Sequence, residues 1–280
     1  MLIEIAIASF SYKNQWLGFE GAPKTLMGNV SGSIKNEGKH GYGVTVVSDQ
    51  IGVTSNLSIL LTYAYHLKIN DKLKLGLGIQ PGYIQNNVKL YDTRLADVDD
   101  EVFTGNVLTE NGIDFSTGFN LYSDKYYLMA AVNHLLVDQL SLASYNARLE
   151  KNYNVIAGYK FAFEKKKIDL EPSVMVQYVK AAPVNITGGL KTTYDKTYWL
   201  GLSYNNSESV GLGLGYILKE RLNLGYAYNM SLSELNSYHT GSHEISISYV
   251  LTHKKPSFEE EDDKLNNSIM DEMKMKLEQK

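Results

Sequence analysis

Apolar and small polar residues alternate with a period of two along most of this chain. Val210, Leu212, Leu214, Tyr216 and Leu218 share one face of an extended segment, with Gly211, Gly213 and Gly215 on the other. Leu222, Leu224, Tyr226, Tyr228 and Met230 repeat the scheme against Asn223, Gly225, Ala227 and Asn229. So do the runs at 198–205, 245–251, 57–67 and 73–79. A helix needs apolar residues at i, i+3, i+4 and i+7, which these segments lack. The pattern predicts fourteen strands, near 8–18, 25–34, 41–49, 54–68, 73–90, 112–122, 126–133, 149–163, 168–180, 184–194, 197–205, 209–218, 221–231 and 243–252.

These segments are long. Ordinary globular strands run to roughly 5–6 residues, whereas a tilted strand crossing a bilayer needs ~9–11. Several carry aromatics at the ends of the apolar face and Leu, Ile or Val in its middle, the arrangement of an outer-membrane girdle. The opposite face holds Gly, Ser, Asn and Ala more than Lys or Glu. A soluble sandwich or barrel would turn a charged face to water, and a solvated sheet so poor in charge invites edge aggregation. The fold expected is therefore all-β: a transmembrane antiparallel β-barrel of about fourteen strands over residues 1–253. An even count suits a single-chain bacterial barrel.

The predicted connections fall into two alternating classes. Those at 35–40, 70–72, 123–125, 164–167, 195–196 and 219–220 are short and charged. Those at 18–24, 49–53, 91–111, 135–148 and 231–241 are mostly longer, or richer in special residues. Outer-membrane barrels pair short periplasmic turns with longer extracellular loops. On that rule the short class is periplasmic, and so are both chain ends.

From Lys254 the alternation stops, and residues 254–280 form a short charged tail. Pro256 ends the last strand, and Glu259 to Asp263 read as an acidic linker. Ile269, Met273 and Leu277 then recur at i, i+4 and i+8. The tail is expected to be a frayed end or a short helix whose Met/Leu stripe docks on a periplasmic partner.

Composition sharpens this picture only in places. The chain has 280 residues with 27 Lys+Arg, 31 Asp+Glu and a formal net charge of -4, with no basic bias toward nucleic acid. It has 21 Tyr and 23 Gly against 2 Trp and 5 Pro, a mixture suited to pleated surfaces. With no cysteine, disulfides and thiolate metal sites are excluded. The opening MLIEIAIASF is interrupted by Glu4 and has no basic residue before it, so it reads as a strand rather than a secretion signal. A signal removed earlier, or lying upstream, is then expected.

Little in the sequence points to catalysis. The six histidines form no metal-binding spacing, and no nucleophile elbow, phosphate loop or dinucleotide fingerprint stands in a suitable context. Asp92, Asp97, Asp99, Asp100 and Glu101 offer oxygen ligands for calcium but lack an EF-hand spacing, which favours a solvated loop. The expectation is a non-enzyme without cofactor or metal.

Some loop segments are more specific than periodicity. Asn14-Gln15-Trp16-Leu17-Gly18-Phe19-Glu20-Gly21-Ala22-Pro23-Lys24-Thr25 resembles the hallmark of the PorP/SprF family, membrane proteins linked to type IX secretion in Bacteroidetes. Ser48 to Thr54, Tyr122 to Tyr127 with Asn133 to Leu136, and Gly241 to Ile245 resemble its further markers. The resemblance implies an outer-membrane barrel that supports delivery of secreted cargo, adhesins of gliding bacteria among them, to the cell surface. It implies contacts with cargo proteins and with periplasmic, peptidoglycan-linked components of the machine, and it carries no catalytic residues. A passive porin or small-solute channel, and a surface adhesin, are the competing readings.

Trp16, Phe19, Pro23, Asp49, Ile51 and His134 are the candidate interaction residues. Each also has a structural reading. Trp16 and Phe19 suit the interfacial aromatic belt. Gly18, Gly21 and Pro23 shape a turn. Gly52 supplies a positive φ, and Asp49 caps backbone N–H groups. The functional reading is that the outer loops fold together as a lid or docking face on a rigid scaffold.

Overall fold

The computed structural model describes residues 3–34, 39–89, 107–136, 141–142, 147–148, 150–232 and 240–253. Fourteen antiparallel strands form a closed barrel. In chain order they begin with β1 (Ile3–Asn14), β2 (Lys24–Ile34), β3 (His40–Ile51), β4 (Thr54–Lys68), β5 (Lys74–Lys89), β6 (Val107–Tyr122) and β7 (Tyr126–Asn133). β8 (Asn152–Tyr159) continues past Lys160 into Phe161–Phe163. The series ends with β9 (Ile168–Val179), β10 (Asn185–Tyr194), β11 (Tyr198–Asn205), β12 (Ser209–Leu218), β13 (Leu222–Ser231) and β14 (Ser242–His253). Each strand pairs with its chain neighbours, and β1 pairs with β14 to close the ring. A two-residue ribbon, Ser141–Leu142 with Ala147–Arg148, stands apart within the connection from β7 to β8.

The molecule is inside-out relative to a soluble domain. Among the described residues, Ala6 and Ile84 alone are buried apolar side chains. Val30, Val44, Leu61, Leu77, Leu200, Leu202 and Ile247 lie exposed on the outer face, and Ile113 reaches 63%. In water so large an apolar surface would drive association; against lipid it is the apolar band of a membrane barrel. Exposed tyrosines flank the band at both ends, Tyr42, Tyr65, Tyr194, Tyr198 and Tyr249 at one and Tyr12, Tyr83, Tyr153, Tyr178 and Tyr204 at the other. Cross-strand rings meet at a tilt: the Tyr198 and Tyr216 ring centroids lie 5.3 Å apart, and those of Tyr42 and Tyr63 5.4 Å apart. Rings at these separations add to the sheet beyond area burial.

The inward face is small and polar. One row around the wall reads Gly78, Gly118, Ala131, Asn154, Gln177 and Asn185, each opposite the next. In β4 and β5, pairing runs to Leu60 opposite Gly82 and resumes at Tyr63 opposite Ile79. Pro81, which has no N–H to give, sits in that gap.

The two ends of the barrel differ. At the end where β1 starts and β14 finishes, turns are short and close on themselves. Asp195 and Lys196 both take positive φ (48° and 53°), and the Thr197 N–H donates to the Tyr194 carbonyl at 3.0 Å. Lys219 and Glu220 do the same (51° and 55°), with the Arg221 N–H on the Leu218 carbonyl at 3.0 Å. Two left-handed residues in a row suit the right-handed twist of a hairpin. Asn70 Oδ1 accepts the Lys72 and Leu73 N–H groups, both at 2.9 Å. Ser123 Oγ accepts those of Lys125 and Tyr126 at 3.2 and 3.1 Å. Ion pairs join Lys68 to Asp71 at 2.8 Å and Lys167 to Asp195 at 3.0 Å. The hydrogen bond from Lys68 holds the Asp71 carboxyl below its ordinary range, and the one to Asp195 holds Lys167 above its own.

The largest shifts from the predicted boundaries fall in three strands. The first strand, expected at 8–18, runs Ile3–Asn14. Its outer end stops where Trp16 and Gly18 take positive φ and the chain leaves the sheet. The sixth strand begins at Val107, not at 112, because Lys89 pairs with Val107 and extends the ladder with β5. The eighth begins at Asn152 rather than 149 and is interrupted at Lys160, whose N–H still bonds the Lys125 carbonyl at 2.6 Å. The acidic cluster at 92–101 and the tail positions Ile269, Met273 and Leu277 lie outside the described residues.

Candidate functional site

At the end opposite the short turns, three connections are tied together. β1 leaves the sheet at Asn14, and the Gln15 N–H bonds the Pro23 carbonyl at 2.9 Å, closing the neck of a loop. Within it, Phe19 donates to the Trp16 carbonyl at 3.0 Å and Ala22 to the Phe19 carbonyl at 3.2 Å. The folding needs left-handed backbone at Trp16 (φ 49°), Gly18 (99°) and Gly21 (73°). Glycine adopts it without a Cβ penalty. Trp16 does not have that freedom and is held by its surroundings.

Those surroundings are other loops. The Leu17 N–H bonds the Gly241 carbonyl at 2.8 Å, while the Thr240 N–H and hydroxyl both donate to the Leu17 carbonyl at 2.9 and 3.0 Å. The Trp16 N–H bonds Ser242 Oγ at 3.2 Å. On the other flank, the Gly52 N–H bonds the Gly21 carbonyl at 2.9 Å. The two chains meet so closely that a Cβ on Gly21 would lie 3.2 Å from the Gly52 Cα. Tyr228, on β13, donates its hydroxyl to the Thr240 carbonyl at 3.0 Å. A cavity of about 280 Å³ lies under the loop, bounded in part by Asn14, Leu17, Phe19, Lys24 and Gln50. Trp16, Phe19 and Ile51 are exposed on this knot, with Phe19 52% and Ile51 54%.

The predicted residues are therefore only partly gathered. Trp16, Phe19 and Pro23 share one loop, and Ile51 ends the nearby strand β3. Asp49 lies two residues further into β3, on the inward face. It accepts the Thr25 hydroxyl across the β2–β3 ladder, not the backbone N–H groups expected of it. His134 lies elsewhere, at the end of β7. Its Nδ1 is 2.8 Å from Asp114 Oδ2 on the inward face of β6, and its φ is 59°. Asp114 is only 3% exposed, and among the described residues its Oδ1 has no hydrogen-bond partner. The Leu135 N–H on the Phe115 carbonyl at 2.9 Å helps hold the pair together. So the wall has two braces at this end, one at β1–β3 with β14 and one at β6–β7.

Thr240, Ser242 and Asp114 were not singled out from the sequence. Gly241 and Ser242 stand in one marker segment, but nothing local says that they bond to residues 16 and 17. Asp114 carries a fainter signal, an acid on the small-residue face of a strand. Trp199 was also missed. It is the sole tryptophan on the inward face, with Nε1 donating to Asn223 Oδ1 at 3.0 Å and Lys191 Nζ 5.6 Å from the ring centroid. The ring lies across Gly213, Gly215 and Gly225; a Cβ would collide with it at Gly215 and Gly225 and crowd it at Gly213.

Residues 6–249 match the family described as type IX secretion system membrane protein PorP/SprF. The chain belongs to the PorP/SprF family. The segments that resemble family markers lie at the tied end, at the β6–β7 turn and at the outer end of β7. The PorP/SprF chain matches none of the curated proteins. Among solved structures it is similar to the CymD monoaromatic hydrocarbon channel, at 13% identity, covering 91% of this chain and 90% of that one with a TM-score of 0.53. It is also similar to Acinetobacter baumannii Omp33, at 8% identity over 90% and 99% of the two chains, TM-score 0.47. A Pseudomonas aeruginosa FadL homologue shows 12% identity over 88% and 90%, TM-score 0.49. At such identities the likeness is one of fold. Fold and family together place this PorP/SprF barrel in the outer membrane as a type IX secretion component.

Proposed function

We propose that this barrel supports delivery of secreted cargo, adhesins of the gliding type included, by presenting its tied loop end as a docking face at the cell surface. The reading rests on one observation above all: Trp16 and Phe19 on their loop, and Ile51 at the end of β3, are exposed where the connections are cross-bonded through Leu17–Gly241 and Gly21–Gly52. Preformed apolar display lowers the ordering cost of binding. In this orientation the short turns and both chain ends are periplasmic, where peptidoglycan-linked components of the machine meet them. No catalytic step is involved.

The test is a W16A/F19A/I51A variant, which changes exposed side chains and leaves the backbone ties alone. The expected result is normal barrel assembly with cargo lost from the cell surface. Unchanged cargo display with an assembled barrel would overturn the docking role. The small polar inward face favours a second reading, a passive channel. Steady conductance in planar bilayers, together with unchanged secretion, would put that reading first.

A further inference from the structure

The short-turn end carries a collar of cations. Lys72, Lys125, Lys165, Lys166, Lys196 and Lys219 are all exposed, in five separate turns spaced around the rim from β4–β5 to β12–β13. Among the described residues these six ammonium groups make no ion pair, unlike Lys68, Lys160 and Lys167, which are matched with Asp71, Asp169 and Asp195. Asp124, Glu164 and Glu220 in the same turns are outnumbered, and Arg221 adds a further cation.

Their height on the barrel matters as much as their charge. Each is within three residues of an exposed outward apolar side chain: Lys72 of Ile69, Lys125 of Tyr126, Lys165 and Lys166 of Phe163, Lys196 of Tyr194 and Tyr198, Lys219 of Leu218. At roughly 3.3 Å per strand residue, that is headgroup depth beside the aromatic girdle. The short turns keep the charges close to the strand ends. A lysine also extends its stem along apolar surface while its ammonium seeks the phosphate layer.

The geometry points to a binding belt for anionic phospholipid headgroups in the leaflet that surrounds the short-turn end. A single acidic protein partner would select one sector; the spread of unmatched lysines through consecutive turns fits a ring of lipid. A basic side chain near an anionic surface contributes about a fivefold preference, so six of them, partly solvated, give selective retention with rapid exchange. This belt is independent of the cargo reading.

The experiment uses the full-length protein in vesicles of equal phosphatidylethanolamine and phosphatidylglycerol, extracted gently and examined by native mass spectrometry. Retained phosphatidylglycerol should exceed phosphatidylethanolamine by about tenfold. The preference should collapse in K72Q/K125Q/K165Q/K166Q/K196Q/K219Q, checked for assembly by heat-modifiable migration. Should that variant not assemble, the native protein is washed at about 0.5 M salt, where screening should remove the preference. Equal retention of the two lipids, as an acidic protein partner would predict, overturns the belt. So does a preference that survives the substitutions or, where the variant does not assemble, the salt.

Discussion

The two ends of this barrel are built by different means. At the short-turn end, the turns close mainly on themselves, Thr197 to Tyr194, Arg221 to Leu218, Leu73 to Asn70, and otherwise bond only to the next turn along, as Asp195 does to Lys167. At the other end, the bonds run between loops far apart in the chain: Leu17 to Gly241, Gly52 to Gly21, Trp16 to Ser242. Local closure fixes the register of a hairpin and little else. Cross-loop closure fixes the shape of a surface. The comparison locates specific recognition at the tied end and leaves the turn end to contacts that need charge but no particular shape.

Substitutions should separate the two ends by size of effect. Gly241→Val should be the most damaging, since φ is 96° and the added atoms meet the Tyr228 ring. Strain and overpacking together cost about 3 kcal/mol, read as a lower urea midpoint in lipid vesicles. Gly21→Ala comes next, with φ 73° and a Cβ 3.2 Å from the Gly52 Cα. A loss of about 2 kcal/mol is expected, with new protease cuts confined to 15–23.

Asp114→Ala tests the second brace. It removes the partner of His134, so about 1–2 kcal/mol should be lost, and cleavage should appear near β7 and not near β1. Lys196→Gly and Glu220→Gly act in the opposite direction. Both positions take left-handed φ without being glycine, so each substitution should raise stability by about 0.5–1 kcal/mol. A loss of stability in either would contradict the reading of these turns.

The smallest effect concerns pH. The Asp71 carboxyl is held low by Lys68, so any stabilisation is present above its unfolded value and lost as pH falls through the folded one. Because the pair is fully solvated, Asp71→Asn should leave the acid-side unfolding curve superimposable on the parent's.

This division also explains what could be read in the chain. Period-two alternation located fourteen strands, and several boundaries agree to the residue, as at Thr54–Lys68, Tyr126–Asn133 and Ser209–Leu218. Those elements are fixed by lipid outside and small residues inside, a property each strand carries by itself. The turn end was legible for the same reason. Leu17 and Thr240 have no feature that announces a bond across 223 residues. Gly21 and Gly52 looked like turn glycines, and they are, but their contact with each other depends on β1, β2 and β3 lying side by side. Asp49 was misread because its capping role assumed a free turn. In the sheet, its nearest partner is the hydroxyl directly across the ladder. Trp199 belongs with these: its place follows from three glycines on β12 and β13 that only the register brings beneath it.

The account as a whole stands or falls with secretion itself. The most direct measurement is quantitative proteomics of the medium and cell surface in a strain lacking this gene, beside the complemented strain. The account predicts selective loss of a few surface or secreted proteins, restored on complementation by the parent chain and not by the W16A/F19A/I51A variant. An unchanged set of secreted proteins, in a background without a second PorP/SprF gene, would contradict it.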